Sequence, residues 1–163
     1  MAEHVSAAST VPGRLPRTIK RDLWGGADVV RTKKRNPRKT AVNKADKFAS
    51  LTVRLAGRCV LSYRGGCSGK LECGHLFSRV AYSTRWADMN LYCLCSFHNI
   101  RMEDDPVIAE ALLSYARELW GEGRIEDLHR IYEAARPVPT YLIQELADMW
   151  EMKYNSRMEA RGE

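Results

Sequence analysis

The sequence predicts a small α+β domain that is stabilised by a bound metal and preceded by a basic arm. Two observations support this fold class. Residues 58–100 contain all five cysteines and frequent glycines but few apolar positions, so they predict short strands, tight turns and too little core to be stable without a metal. Residues 105–163 instead carry three apolar stripes at helical spacing, which predict helices packed on that module.

Composition places the chain among soluble globular proteins. Its 163 residues are 45% hydrophobic and 28% charged, which suits one domain with an appendage. No apolar run is long enough to cross a bilayer, and the N-terminus lacks the apolar core of a signal peptide, so we expect a cytoplasmic protein with no membrane partner. In that reducing compartment, the cysteines are expected to be thiols or metal ligands rather than disulfides.

Charge is distributed unevenly along the chain. Residues 1–58 hold 14 Lys/Arg and 4 Asp/Glu, a balance of +10, and the remaining residues hold 12 and 16, a balance of −4. A basic arm on an acidic body indicates a polyanionic partner, with nucleic acid first, although a solubilising tail is the alternative. We interpret residues 1–40 as a disordered arm. Its predicted DNA-binding cations are Lys33, Lys34, Arg35, Arg38 and Lys39.

The rest of the chain divides into three parts. Residues 41–57 contain a predicted helix with Asn43 as its N-cap, which Gly57 ends. Residues 58–104 form the predicted metal module, with a strand over residues 71–77. Residues 105–163 are helical, starting from an Asp105 cap with Pro106 at the first position.

Metal-ligand spacing is visible in the module. Cys95 and His98 are separated by two residues, as in a zinc knuckle. Cys59 and Cys67 are the natural upstream pair, although their seven-residue gap is longer than usual, and Cys67 with Cys73 is an alternative. The competing interpretation is a set of buried free thiols.

Three further motifs carry a family resemblance. They are residues 74–79 (GHLFSR), 85–90 (RWADMN) and 95–99 (CSFHN). In this order, they resemble the lambda NinG/Rap family of phage recombination proteins, within the HNH (His-Me finger) group of nucleases. The resemblance covers roughly residues 58–155. It implies a treble-clef ββα-metal fold with a structural Zn²⁺ on Cys59, Cys67, Cys95 and His98.

The resemblance also implies a catalytic site. His75 takes the position of the general base, and Asn90 that of the residue that braces the loop holding it. Asn99 corresponds to the ligand of a catalytic Mg²⁺ or Mn²⁺, and Arg79 is placed to clamp a phosphate. The expected activity is that of a DNA endonuclease. By the same resemblance, its substrates would be branched or recombination intermediates, and its partners phage or host recombination proteins in the host cytoplasm.

Three departures weaken the catalytic part. Gly74 stands where many HNH enzymes have a second metal ligand, a place that Glu72 could fill because residues two apart on a strand share a face. Tyr92 replaces a frequent histidine, and residues 101–105 replace a Gly-Asn pair. The alternatives are therefore a non-catalytic zinc module that binds nucleic acid, or a structural phage component. His75 would then be a zinc ligand or a buried histidine.

Overall fold

The structure, a computed structural model, describes residues 36–162. The predicted arm cations Lys33, Lys34 and Arg35 lie outside the described residues. Within them, the α+β prediction is confirmed. The elements are α1 (Pro37–Arg54), β1 (Leu71–His75), β2 (Leu91–Cys95), α2 (Ser96–Asp104), α3 (Pro106–Trp120), α4 (Glu122–Ala134) and α5 (Thr140–Glu159), with short 3-10 helices at Ser62–Arg64 and Asp88–Asn90.

Helix α1 begins earlier than the sequence predicted. Its N-cap is Asn36, whose side chain accepts a hydrogen bond from the Lys39 amide, and Pro37 occupies the first turn. An Asn-Pro pair is a stronger start signal than Asn43, because proline lacks the amide hydrogen that a first-turn residue leaves unpaired. Arg38 and Lys39, assigned to a disordered arm, therefore lie on the first turn of a helix.

The three downstream helices follow their sequence signals. Asp105 caps α3 by accepting from the amides of Val107 and Ile108, and Gly121 ends it. Helix α4 ends at Ala134, ahead of two prolines, and α5 follows them. None of the helices between residues 36 and 162 has both the length and the apolar character that a bilayer crossing requires.

The two strands form an antiparallel hairpin that lies between helices. Leu71 pairs with Cys95 at one end, and His75 pairs with Leu91 at the other. One face packs against α1, in a core shared with α5 and centred on Trp86 and Trp150. The opposite face packs against α2 and a second core that reaches α3 and α4. The two ends of the hairpin consequently lie in different surroundings.

Candidate metal centre and active-site cleft

The four predicted zinc ligands lie together at the Leu71–Cys95 end of the hairpin. The sulfur and nitrogen atoms of Cys59, Cys67, Cys95 and His98 are all within 4.8 Å of one another. His98 Nδ1 lies 3.4 Å from Cys59 Sγ, 3.6 Å from Cys67 Sγ and 3.3 Å from Cys95 Sγ. A tetrahedral zinc with ordinary bond lengths separates nitrogen and sulfur ligands by about 3.6 Å. The cluster therefore has the donors and the dimensions to hold a zinc ion.

Backbone pairing explains how a distant pair of cysteines reaches the knuckle. The Val60 amide donates to the Cys93 carbonyl, and the amides of Ser96 and Phe97 donate to the carbonyls of Lys70 and Ser68. These bonds fasten both ends of the loop between the upstream cysteines onto β2 and the start of α2. The long seven-residue gap thus accommodates a turn and a 3-10 helix while the two thiols still converge.

The other two cysteines have a different setting. Cys73 and Cys93 are paired across the hairpin and are not among the four residues whose ligand atoms converge. Burial raises the pKa of the Cys73 thiol to about 12. A thiol held neutral in this way behaves as a small apolar side chain. The structure thus groups Cys67 with Cys59 and not with Cys73, the alternative that the spacing left open.

His75 lies at the opposite end of the hairpin, four residues from the cluster end and so roughly 14 Å along the strand. It lines a cleft of about 510 Å³ between α1 and the loop that follows β1. The charged residues that line this cleft with it are Asp46, Lys47, Arg54, Arg79 and Arg85. Four cations against one carboxylate give the cleft a positive potential, which suits a phosphate ligand.

Electrostatics keep the His75 imidazole neutral. Burial lowers its pKa to about 4, and the nearby Arg85 and Arg79 cations act in the same direction. Asp46 and a backbone hydrogen bond at Arg85 raise the His75 pKa, but they do not offset burial and Arg85. A histidine with this pKa is unprotonated at neutral pH, which is the state that a general base requires.

Asp46 holds the wall of the cleft together. Its Oδ2 accepts from Arg85 NH2 at 2.6 Å, and its Oδ1 accepts from Arg85 Nε and Trp86 Nε1, both at 2.9 Å. The Arg85 NH1 group donates to the Arg79 carbonyl at 3.0 Å. Helix α1 is thereby fastened to both ends of the segment from residue 79 to residue 85.

Asn90 ties the loop after β1 to the start of β2. Its side chain is fully buried. Oδ1 accepts from the Phe77 amide at 2.7 Å, and Nδ2 donates to the carbonyls of Phe77 and Thr84 at 3.1 and 3.0 Å. These bonds fix the loop directly behind His75, which is the geometry that a bracing residue needs.

Glu72 and Asn99 meet on the face of β1 opposite His75. Asn99 Nδ2 donates to Glu72 Oε2 at 2.7 Å, and Ser96 Oγ donates to Glu72 Oε1 at 2.9 Å. Those two hydrogen bonds lower the pKa of the Glu72 carboxyl, which is therefore ionised. A Cβ on Gly74 would clash with Leu94 and lie 2.8 Å from Asn99 Oδ1. The close packing of α2 thus leaves no room here for a longer ligand residue.

The sequence interpretation placed the cleft histidine and Arg79 but missed the rest of the wall. Asp46 carries no motif, and Arg85 was identified only as part of residues 85–90. Lys47 and Arg54 share one side of α1 because they are seven residues apart, about two helical turns. That spacing was the available signal, but nothing in the sequence shows that this side of α1 meets the loop after β1.

Comparisons with known protein families, curated proteins and solved structures find no match to this chain.

Proposed function

We propose that this chain is a metal-dependent DNA endonuclease of the HNH type, with His75 as its general base. The observation that carries the proposal is the cleft, in which a neutral histidine lies among four cations. The order of elements adds support, because β1 carries the histidine, the loop returns through buried Asn90, and β2 leads into α2 with Asn99. The ββα-metal fold of the resembled family has that order.

The chemistry follows from the positions of the side chains. Arg79 is exposed at the mouth of the cleft, where its guanidinium can bind a phosphate through two hydrogen bonds. Arg85 stays bound to Asp46 and adds positive charge behind the phosphate. His75 takes a proton from water, and the water oxygen attacks phosphorus as the opposite P–O bond breaks. The Cys3His cluster, at the far end of the hairpin, holds the scaffold and does not touch substrate.

Glu72 and Asn99 are the residues that would hold the catalytic divalent ion. Both offer oxygen ligands, and Mg²⁺ commonly binds proteins through one or two such side chains plus substrate phosphates. The ion supplies charge neutralisation at the leaving oxygen when bound. Neither residue lines the His75 cleft, so the ion would lie beside the end of the hairpin and not within the cleft itself. The resemblance extends the proposal to branched or recombination intermediates as substrates.

A second candidate function is favoured by one feature of the same site. Both carboxylate oxygens of Glu72 already accept hydrogen bonds, and the pair lies across the strand from His75. A chain with this geometry and no functional ion site would be a zinc-containing module that binds nucleic acid without cutting it. Basic charge in the cleft suits both functions, so only an assay for cleavage separates them.

The experiment is a plasmid-nicking assay on purified full-length protein, with and without Mg²⁺ or Mn²⁺. We expect nicking that depends on the added ion. Asn99→Ala should slow it, and a higher ion concentration should partly restore the rate if Asn99 is a ligand. Arg124→Gln, a change on the exposed side of α4, is the matched control and should cut normally. DNA binding without nicking under either ion would establish the non-catalytic function instead.

A further inference from the structure

A second groove lies beside the cleft and is not used by the proposed chemistry. Its volume is about 380 Å³, and it runs between the start of α1, the loop after β1 and the connection from α4 to α5. Two arginines and two tyrosines line it, together with a floor of valine, alanine and proline. The residues that matter here are Arg38, Tyr82, Tyr132, Arg136 and Val80.

One short segment separates this groove from the cleft. Arg79 and Arg85 line the cleft, whereas residues 80–82 between them line the groove. The Arg85 guanidinium lies 5.3 Å from the centre of the Tyr82 ring, and the Arg38 guanidinium lies 5.0 Å from it. An arginine on either side of the ridge therefore contacts the same tyrosine. A strand that leaves the cleft across this ridge enters the groove directly.

The charge of the groove continues that of the cleft. Arg38 and Arg136 face a single acid, Glu133, among the lining residues. Residues 59–163 as a whole are acidic, with 16 Asp/Glu against 12 Lys/Arg. Three of the six cations along cleft and groove, Arg38, Lys47 and Arg54, come from α1, and the other three lie within that acidic part. The cationic band is therefore assembled where α1 meets the rest of the chain.

The apolar and aromatic lining decides which nucleic acid fits. Val80 is 79% exposed at the rim, and Tyr132, whose ring stacks on Phe77, lines the groove as well. A duplex presents phosphates and sugars to a protein surface and leaves such apolar area without a partner. Unpaired bases present apolar faces, and proteins that bind single strands combine aromatic side chains with cations in this way.

We propose that the groove binds an unpaired single strand of DNA that continues from the phosphodiester in the His75 cleft. The preferred substrate would then be a duplex with a single-stranded segment next to the cut site. The inference rests on the proposed function for its placement of the scissile phosphate, but it concerns binding and is tested by binding.

The test uses full-length His75→Ala protein, which leaves DNA uncut, and two hairpins of the same duplex. One hairpin ends flush, and the other carries a short single-stranded thymine extension. Val80→Asp places a negative charge at the groove rim and is compared with Val107→Asp, a matched change at a 57% exposed valine on α3. Arg136→Gln is compared with Arg124→Gln in the same way. Melting curves and zinc content verify that each variant folds.

We expect Val80→Asp to weaken binding of the extended hairpin roughly tenfold, the scale of one lost base contact, and to leave binding of the flush hairpin unchanged. The Val107→Asp control should bind both hairpins normally. The groove proposal would be wrong if Val80→Asp weakened binding of both hairpins equally, or if the two valine variants bound alike. It would also be wrong if neither hairpin bound. If the two valine variants do not differ, the occupant of the groove would instead be a protein segment or a second copy of the chain.

The two proposals fail separately. If wild-type protein nicks plasmid but shows no preference for the extension, the nuclease proposal stands and the groove proposal is wrong. If the protein prefers the extended hairpin, and Val80→Asp removes that preference, but DNA is never nicked, the groove proposal stands and the nuclease proposal is wrong.

Discussion

The two ends of the β1–β2 hairpin are built in different ways. The Cys3His end gathers two residues that lie before β1, the last residue of β2 and a residue in the first turn of α2, and backbone bonds between neighbouring loops hold them. The His75 end depends instead on the packing of α1 and on side-chain bonds through Asp46. In the proposed function, the first end holds the scaffold and the second presents the chemistry.

This difference explains why the sequence revealed the ends unequally. Metal ligands must have particular residue types at short spacings, and the Cys95–His98 knuckle satisfies both conditions. The cleft wall has no such local rule. Asp46 and Arg85 are 39 residues apart, the same separation as Cys59 and His98, but they carry no residue type or short spacing that marks a site. Only the packing of α1 against the hairpin brings the two together. The predictions below separate the ends, beginning with the largest effect.

Loss of a metal ligand should have the largest effect. Cys95→Ser is expected to abolish zinc binding and cooperative folding of the module, because structural zinc sites contribute on the order of 10 kcal/mol, comparable to the whole stability of a domain. Cys73→Ala removes a packing thiol instead and should retain one zinc per chain. Elemental analysis and thermal melting measure both. A Cys95→Ser protein that melts like wild type would refute the scaffold role of the cluster.

Loss of Asp46 should destabilise the cleft end without touching the metal. Asp46→Asn leaves the Arg85 guanidinium, whose side chain is only 13% exposed, without its counter-charge. We expect a loss of roughly 2–4 kcal/mol in the free energy of unfolding, measured by urea denaturation, with zinc content unchanged. Asp148→Asn breaks the more exposed ion pair with Lys44 and is the control, with little change expected.

Acid should weaken the cleft end through His75. The folded pKa of about 4 lies below the ordinary histidine value, so the neutral imidazole contributes stability that is complete above about pH 6.5 and is lost as the pH falls towards 4. The contribution amounts to about 3 kcal/mol at most. The same pKa predicts that nicking does not slow between pH 7 and pH 5.5, as it would for an ordinary histidine base.

Nuclear magnetic resonance of the His75 ring measures that pKa directly. The groups that surround the ring are Asp46, Arg79 and Arg85, so Asp46→Asn should lower the His75 pKa further. A wild-type His75 that titrates near 6.5 would show that the ring is not buried as described.

Gly74 should tolerate a side chain poorly, because Leu94 of β2 and Asn99 of α2 both lie close to it. In Gly74→Ala, the new methyl group meets Leu94 and Asn99, and we expect a loss of about 1–3 kcal/mol. Gly123→Ala, on the first turn of α4 with open space around it, is the matched substitution and should stabilise slightly. Urea denaturation compares the two. Equal stabilities would show that α2 does not pack this closely.

Sequence reasoning predicted most of the local structure. Asp105 with Pro106 marked the start of α3, and the stripe that includes Ile143 and Trp150 marked the buried side of α5. The error at α1 came from choosing Asn43 as the N-cap instead of Asn36. Only Asn36 is followed by a proline. Leu119 follows the helical spacing of the apolar stripe on α3 but is 55% exposed. Apolar spacing shows which side of a helix is apolar, and it does not show whether another element packs over every residue on that side.

The candidate site could be predicted only in part. Motif positions led to His75, Asn90 and Asn99, yet motif order cannot show that Asn99 and His75 lie on opposite faces of one strand. The groove beside Val80 has no sequence signal at all, because its walls come from three separate parts of the chain.

The separation of the two ends is tested most directly by measuring zinc content and plasmid nicking together for His75→Ala and His98→Ala. The account predicts that His75→Ala keeps one zinc and a cooperative melting transition but loses nicking by about 10²–10⁴-fold, the usual contribution of a general base. His98→Ala should lose zinc, folding and nicking together. Loss of zinc from His75→Ala, or nicking at the wild-type rate by that variant, would contradict the assignment of chemistry to one end and scaffold to the other.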